Sequence, residues 1–134
     1  MINLQDYDIF IFDCDGVILD SNKLKSDAFR QALEYEPEEM VEELVRYHKL
    51  NGGISRYEKF NYFYKSIKSS NNVSEDCDRA IEKFAAFVSK GLLEVNHVPG
   101  VISFFNKIAP SKDLFVNSGS DEKELRQIFK QRDI

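Results

Sequence analysis

The sequence predicts an α/β fold built on a parallel sheet, and three observations carry that prediction. Ile9 to Phe12 is a short apolar run that leads directly into a cluster of carboxylates, Asp13, Asp15 and Asp20. Residues 22 to 94 hold apolar positions at helical spacing, with no strand pattern among them. Asp113 to Val116 is a second apolar run, separated from the helical stretch by one further helix, and the β-helix-β order calls for parallel pairing through a crossover.

Ile9 to Phe12 is β-branched and aromatic without alternation, which suits a strand covered on both faces, as in the middle of a parallel sheet. Its carboxyl end therefore holds the acids, at the place where open parallel sheets bind ligands. Asp13 and Asp15 are two apart, so an extended backbone sends both side chains to one face and Cys14 to the other. Two carboxylates in one small volume suit a hard cation such as magnesium, or a division of nucleophile and general-acid roles. They equally suit a solvated acidic turn. Gly16 permits a turn that a residue with a Cβ would resist.

Asn22 is placed to cap a first helix with Leu24, Ala28, Phe29, Ala32 and Leu33 on its apolar side, ending before Pro37. Pro37 opens a second, where Glu38 and Glu39 complement the helix dipole and Met40, Val41, Leu44, Val45 and His48 share a face. Asn51-Gly52-Gly53 ends it. Ser55 caps a third helix through Tyr57, Phe60, Phe63, Tyr64 and Ile67, and Ser74-Glu75-Asp76 opens a fourth, carrying Cys77, Ile81, Phe84, Ala85, Val88 and Leu92. Val98-Pro99-Gly100 leads into a helix with Ile102, Phe104, Phe105 and Ile108. After the second strand, Asn117-Ser118-Gly119-Ser120-Asp121 turns into a last helix with Leu125, Ile128 and Phe129.

Within that turn, Ser118 follows a strand and precedes a helix N-terminus, where a hydroxyl and backbone N–H groups can hold a phosphate oxygen. Arg56 opens the third helix after a two-glycine loop, where a guanidinium can grip a phosphate or carboxylate with two hydrogen bonds, or pair with a surface acid such as Glu58. Lys59 is a weaker candidate for the same anion. Lys23 and Lys25 are able to steer an anionic substrate but read more simply as exposed helix lysines. His48 and His97 have no spaced partner of the kind a zinc site requires.

The 134 residues carry 18 Lys and Arg against 23 Asp and Glu, for a net charge of -5, and 43% are hydrophobic. One globular domain is expected, and the acidic balance argues against a nucleic-acid-binding protein. Two well-separated cysteines, Cys14 and Cys77, form neither a C-x-x-C pair nor a disulfide framework, which points to a reducing cytoplasm. Residues 1 to 8 lack a signal-peptide pattern, and no apolar run has the length of a membrane span.

A hydrophobic strand followed by Asp13-Cys14-Asp15-Gly16-Val17 and Asp20-Ser21 resembles the opening motif of the haloacid dehalogenase-like (HAD) phosphatases, in the capped branch that includes phosphoglycolate phosphatase and β-phosphoglucomutase. The resemblance implies a partial Rossmann-like core, residues 1–20 and 96–134, with a four-helix cap, residues 21–95, inserted after the first strand. It implies that Asp13 attacks phosphorus to form an aspartyl-phosphate, that Asp15 acts as general acid and base, and that both hold Mg2+, Asp15 through its backbone carbonyl. The strand ending in Ser118 resembles the second motif of the family, so Ser118 orients the phosphoryl group while Asn117, Gly119 and Gly16 border it. Gly53-Ile54-Ser55-Arg56 resembles a cap substrate loop, whose arginine holds the non-reacting part of the substrate.

The function implied is hydrolysis of a small phosphorylated metabolite. A sugar-phosphate mutase, or a non-catalytic phosphate-binding or helical interaction protein, are the alternatives. The family's lysine motif and its second acidic motif have no counterpart before Ile134. Little turnover is therefore expected of this polypeptide alone, together with weak stability or self-association through exposed sheet surface.

Overall fold

The computed structural model describes residues 1–134, with a two-stranded parallel sheet and six α-helices. Strand β1 (Ile9–Phe12) pairs with β2 (Asp113–Val116) in the register Ile9 to Asp113 through Phe12 to Val116. Between them lie α1 (Asn22–Ala32), α2 (Glu38–Leu50), α3 (Arg56–Tyr62), α4 (Val73–Leu92) and α5 (Val101–Ile108), and α6 (Glu122–Arg132) follows β2. The α/β class and the parallel crossover are as the sequence predicts.

The expectation that β1 is covered on both faces is not met. Phe10 and Phe12 turn toward α5, where Phe12 meets Phe105 edge-on at 4.9 Å and Phe104 at 6.1 Å. Ile9 and Ile11 point the other way and remain 56% and 67% exposed, with Phe115 of β2 55% exposed beside them. No element of this chain lies over that face. The composition of Ile9–Phe12 reports what the strand is suited to bury, not whether a cover is at hand.

The helices bury their stripes far more completely. Phe29 of α1, Phe60 of α3 and Phe84 of α4 meet with ring centroids 4.6 to 5.7 Å apart, each essentially inaccessible, and Leu44, Val45, Phe63, Val88 and Leu92 extend the same core. Burying one such side chain stabilises by about 1.5–3 kcal/mol. Helix α3 runs into a π-helical turn, Phe63–Ile67, closed by the Lys68 N–H on the Phe63 carbonyl at 2.8 Å. That widened turn brings the adjacent Phe63 and Tyr64 into the core together, with perpendicular rings 4.9 Å apart. Periodicity in the sequence gives no sign of it.

Helix ends shift by a residue or a turn from expectation. Ser21, not Asn22, is the N-cap of α1, and its hydroxyl makes no capping bond because it is engaged with Asp15. Helix α1 stops at Ala32, short of Pro37, in a turn closed by Glu36 N–H on the Leu33 carbonyl. Ser55 caps α3 by accepting from Glu58 N–H at 3.3 Å, as expected, and Asp121 caps α6 by accepting from Glu124 N–H at 3.1 Å.

Candidate functional site

Beyond Phe12 the chain makes a tight reversal. The Cys14 carbonyl accepts from the N–H groups of Val17, Ile18 and Leu19, and the Gly16 N–H donates to the Leu19 carbonyl at 2.7 Å. Gly16 sits at φ +77°, the left-handed region where a side chain is strained. Ile18 and Leu19 plug into the core beneath the reversal and Cys14 is buried with them, so the loop is anchored from inside. Asp13 and Asp15 are left facing one cavity of about 130 Å³. Both strand ends open on it: Gly119 and Ser120, from the turn after β2, line the same space, as do Lys25, His48, Ile54, Arg56, Lys59 and Phe84 from the helical unit.

Asp13 accepts from the Cys14 N–H through Oδ1 at 2.7 Å, while its Oδ2 has no partner in the protein. Asp15 is held at both oxygens. The Ser21 hydroxyl donates to Oδ1 and the Lys25 ammonium donates to Oδ2, each at 2.5 Å. Lys25 Nζ is also 2.5 Å from Ser120 Oγ, so one lysine of α1 ties together the loops that follow the two strands. The Ser118 hydroxyl accepts from the Ser120 N–H at 3.1 Å.

Arg56 is buried and forms a two-point ion pair with Glu124 of α6, with its guanidinium 4.7 Å above the Phe84 ring. Ser89 of α4 donates to the same carboxylate at 3.1 Å. Tyr57 reaches Asp121 at 3.2 Å, so the start of α3 is fastened to the start of α6 at two places. The approach is close: a Cβ on Gly119 would stand 3.0 Å from the Gly53 carbonyl oxygen, so that position needs a glycine or a displaced loop.

Lys59 and His48 form the far wall. Lys59 Nζ lies 2.9 Å from His48 Nδ1. Burial, with the neighbouring Lys25 charge, pulls Lys59 down to about 8, and burial with the Lys59 charge pulls His48 down to about 4. An ammonium has no lone pair, so Nδ1 is the acceptor and a neutral His48 carries its proton on Nε2.

Of the residues singled out in the sequence, the structure brings Asp13, Asp15, Gly119 and Arg56 to one cavity. Ser118 and Asn117 lie beside it, along a groove between β2 and α6, and Gly16 shapes the loop without lining the space. Lys25 and His48 are far more central than their patterns suggested, and Ser120 was not anticipated. A signal for the lysines existed. Lys25 shares a stripe with Ala28, Phe29 and Ala32, and Lys59 with Tyr62 and Phe63, at the helical spacings of one face. A charged residue inside an apolar stripe is the pattern to look for.

The donor set suits a magnesium ion. Asp13 offers carboxylate Oδ1, which keeps a lone pair beside the bond it accepts from Cys14 N–H, and Asp15 a backbone carbonyl that accepts no hydrogen bond from the chain. Magnesium takes few protein oxygens and keeps water or substrate oxygens for the rest. No group of three His, Cys, Asp or Glu side chains gathers to form an all-protein cage.

Comparison with known proteins bears on the fold and the family. The fold is similar to that of a hydrolase from Pseudomonas syringae, at a TM-score of 0.72 and 18% identity, over 93% of this chain and 55% of that one. It is similar also to the putative HAD-hydrolase YfnB from Bacillus subtilis, described as bound to magnesium, at a TM-score of 0.65 and 16% identity, over 93% of this chain and 59% of that one. The chain thus spans a little over half the length of these structures. No curated protein matches it. No helix is long and apolar enough to cross a membrane. The model of the haloacid dehalogenase-like hydrolases matches residues 10–134, nearly the whole sequence, and the chain belongs to that family.

Proposed function

We propose that the cavity serves magnesium-dependent hydrolysis of a small phosphomonoester through an aspartyl-phosphate on Asp13. The observation that carries this reading is the free Oδ2 of Asp13, facing a small cavity lined also by Asp15, Lys25 and Lys59. Asp13 Oδ2 attacks phosphorus and the ester oxygen departs with a proton from Asp15, which enters this step as the carboxylic acid with its Lys25 contact released. Asp15 then removes a proton from water, which attacks the same phosphorus. The Asp13–phosphorus bond breaks, releasing inorganic phosphate and restoring both side chains. The Asp13 carboxylate and the Asp15 carbonyl would hold a magnesium ion, which would supply Lewis-acid stabilisation of the phosphoryl charge.

The remaining residues position these two. Lys25 and Ser21 fix the Asp15 carboxylate, and the Ser118 hydroxyl accepts from the N–H of Ser120, whose own hydroxyl contacts the same lysine. The helical unit acts as a cap over the strand ends. A cavity of this size under the loop of Gly52 to Ile54 favours a soluble metabolite over a phosphoprotein. Two free, buried cysteines fit a cytoplasmic protein.

Capture of a phosphoryl analogue tests the chemistry without demanding turnover. With Mg2+ and beryllofluoride, the protein is expected to give a bound 19F NMR signal that chelation of the metal removes and Asp13→Asn abolishes. An undiminished signal from Asp13→Asn would rule out Asp13 as the nucleophile.

A further inference from the structure

Three cationic side chains line the cavity, and two of them are already matched by acids. Lys25 sits against Asp15 and Arg56 is doubly bonded to Glu124. Lys59 is different. It is only 3% exposed, faces no carboxylate within ion-pair distance, and has the neutral His48 ring as its one hydrogen-bond partner. Imidazole satisfies one N–H of the ammonium but cancels none of its charge. The Phe29 ring, 5.9 Å away, adds only a weak cation–π attraction. A buried charge without a counter-ion is among the costlier arrangements in a protein interior. An anion arriving in the cavity would relieve that cost.

We propose that Lys59, backed by His48, selects the substrate by receiving a second anionic group, carboxylate or phosphate, of a short phosphomonoester whose reacting phosphate lies at Asp13. This inference rests on the phosphomonoester reading above. It assigns the grip on the non-reacting end to a residue one helical turn beyond Arg56, because the Arg56 guanidinium is committed to Glu124 and acts by joining α3 to α6. The cavity, about 130 Å³, is close to one that holds a benzene-sized molecule, which limits the skeleton between the two anionic groups to about three carbons or fewer. At neutral pH Lys59 remains charged, since burial lowers it only to about 8. His48 stays neutral there and holds the ammonium toward the cavity without competing for the anion.

The test compares three ligands by isothermal titration calorimetry with Mg2+ present: ethyl phosphate, phosphoglycolate and 1,3-propanediol bisphosphate. The first two have the same length and differ in a methyl group against a carboxylate. The wild-type protein is expected to bind at least one of the doubly anionic ligands about tenfold or more tightly than ethyl phosphate, as one charge-assisted hydrogen bond warrants. Whichever is tighter identifies the second group. Lys59→Met should bring that ratio to within about twofold, and Lys59→Arg should retain the preference. Equal wild-type affinities for all three would overturn the inference and leave the phosphomonoester reading standing. So would a preference that persists in Lys59→Met. Binding of none of them would overturn the phosphomonoester reading and this inference with it. The wild-type comparison decides even if a substitution prevents folding.

Discussion

The helical unit α1–α4 and the sheet carry comparable apolar runs yet use them differently. In the helices, Phe29, Phe60, Phe63 and Phe84 are essentially inaccessible, whereas two of the four residues of β1, Ile9 and Ile11, are more than half exposed. Each helix finds its partner within the segment 22–92, through short connections. A two-stranded parallel sheet has two unpaired edges and two faces, and α5 covers one face with Phe104 and Phe105. The lesson is that the site is supported unevenly. Asp13 and Asp15 stand on the weaker element, and the cavity that faces them is walled by the stronger one. Lys25 and the Arg56–Glu124 pair hold the two together.

The sharpest way to test this contrast is to truncate one residue on each side. Phe29→Ala removes a ring packed against Phe60, Phe84 and His48, and is expected to destabilise by about 3–5 kcal/mol. Ile11→Ala removes mostly solvated atoms and should shift stability by about 0.5 kcal/mol or less. Urea denaturation of both variants makes the comparison. A large loss from Ile11→Ala would mean that its face is covered in solution.

A smaller loss is expected from cutting the tie between the regions. Lys25→Met leaves the Asp15 carboxylate with the Ser21 hydroxyl alone and frees Ser120, at a cost of about 2–3 kcal/mol in the absence of magnesium. Asp15→Asn combined with Lys25→Met should recover part of that loss, because no buried charge is then stranded. A double-mutant cycle with no coupling between the two positions would show that the pair does not join the regions.

Much of this organisation was legible in the sequence, for reasons that also explain what was missed. Apolar periodicity located all six helices and short apolar runs located both strands, because each pattern records which side chains a segment must bury. The Asp13-x-Asp15-Gly16 spacing placed two acids on one cavity, because strand alternation and a left-handed glycine are local properties. Partners distant in sequence leave no such mark. Nothing near Arg56 announces Glu124, 68 positions away, and nothing near Lys25 announces Ser120. The same limit explains β1, whose composition suits two covered faces although only one cover is present.

The helical unit should also carry the protein's sensitivity to mild acid. Burial and the Lys59 charge hold folded His48 near 4, while an unfolded histidine titrates near 6.5. Between these values the unfolded chain binds a proton that the folded chain refuses. Stability is therefore intact above about pH 6.5 and falls as the pH drops toward 4, by about 2 kcal/mol. His48→Gln keeps an acceptor for Lys59 and should flatten that slope, as measured by thermal unfolding across the window. An unchanged slope would place the acid response elsewhere.

The smallest effect on stability and the most informative about the sheet is expected from Ile11→Lys. The side chain is 67% exposed, so the charged replacement reaches water and changes the stability of a single molecule by about 0.5 kcal/mol or less. Its effect on association should be larger. Ile9, Ile11, Phe115 and Val116 give the sheet an exposed apolar character, and the unpaired strand edges beside them offer N–H and C=O groups for pairing with another chain. A lysine on such a surface opposes close approach of a second copy, which is how natural edge strands are protected. Sedimentation velocity over a hundredfold range of concentration should show the wild-type protein shifting to larger species and Ile11→Lys remaining monomeric. Hydrogen exchange on the same samples should show α1 and α4 amides protected at least about a hundredfold more than those of β1 and β2, since local opening is cheapest where burial is least. A wild-type monomer at every concentration, with strand amides as well protected as helical ones, would remove the distinction between the two regions.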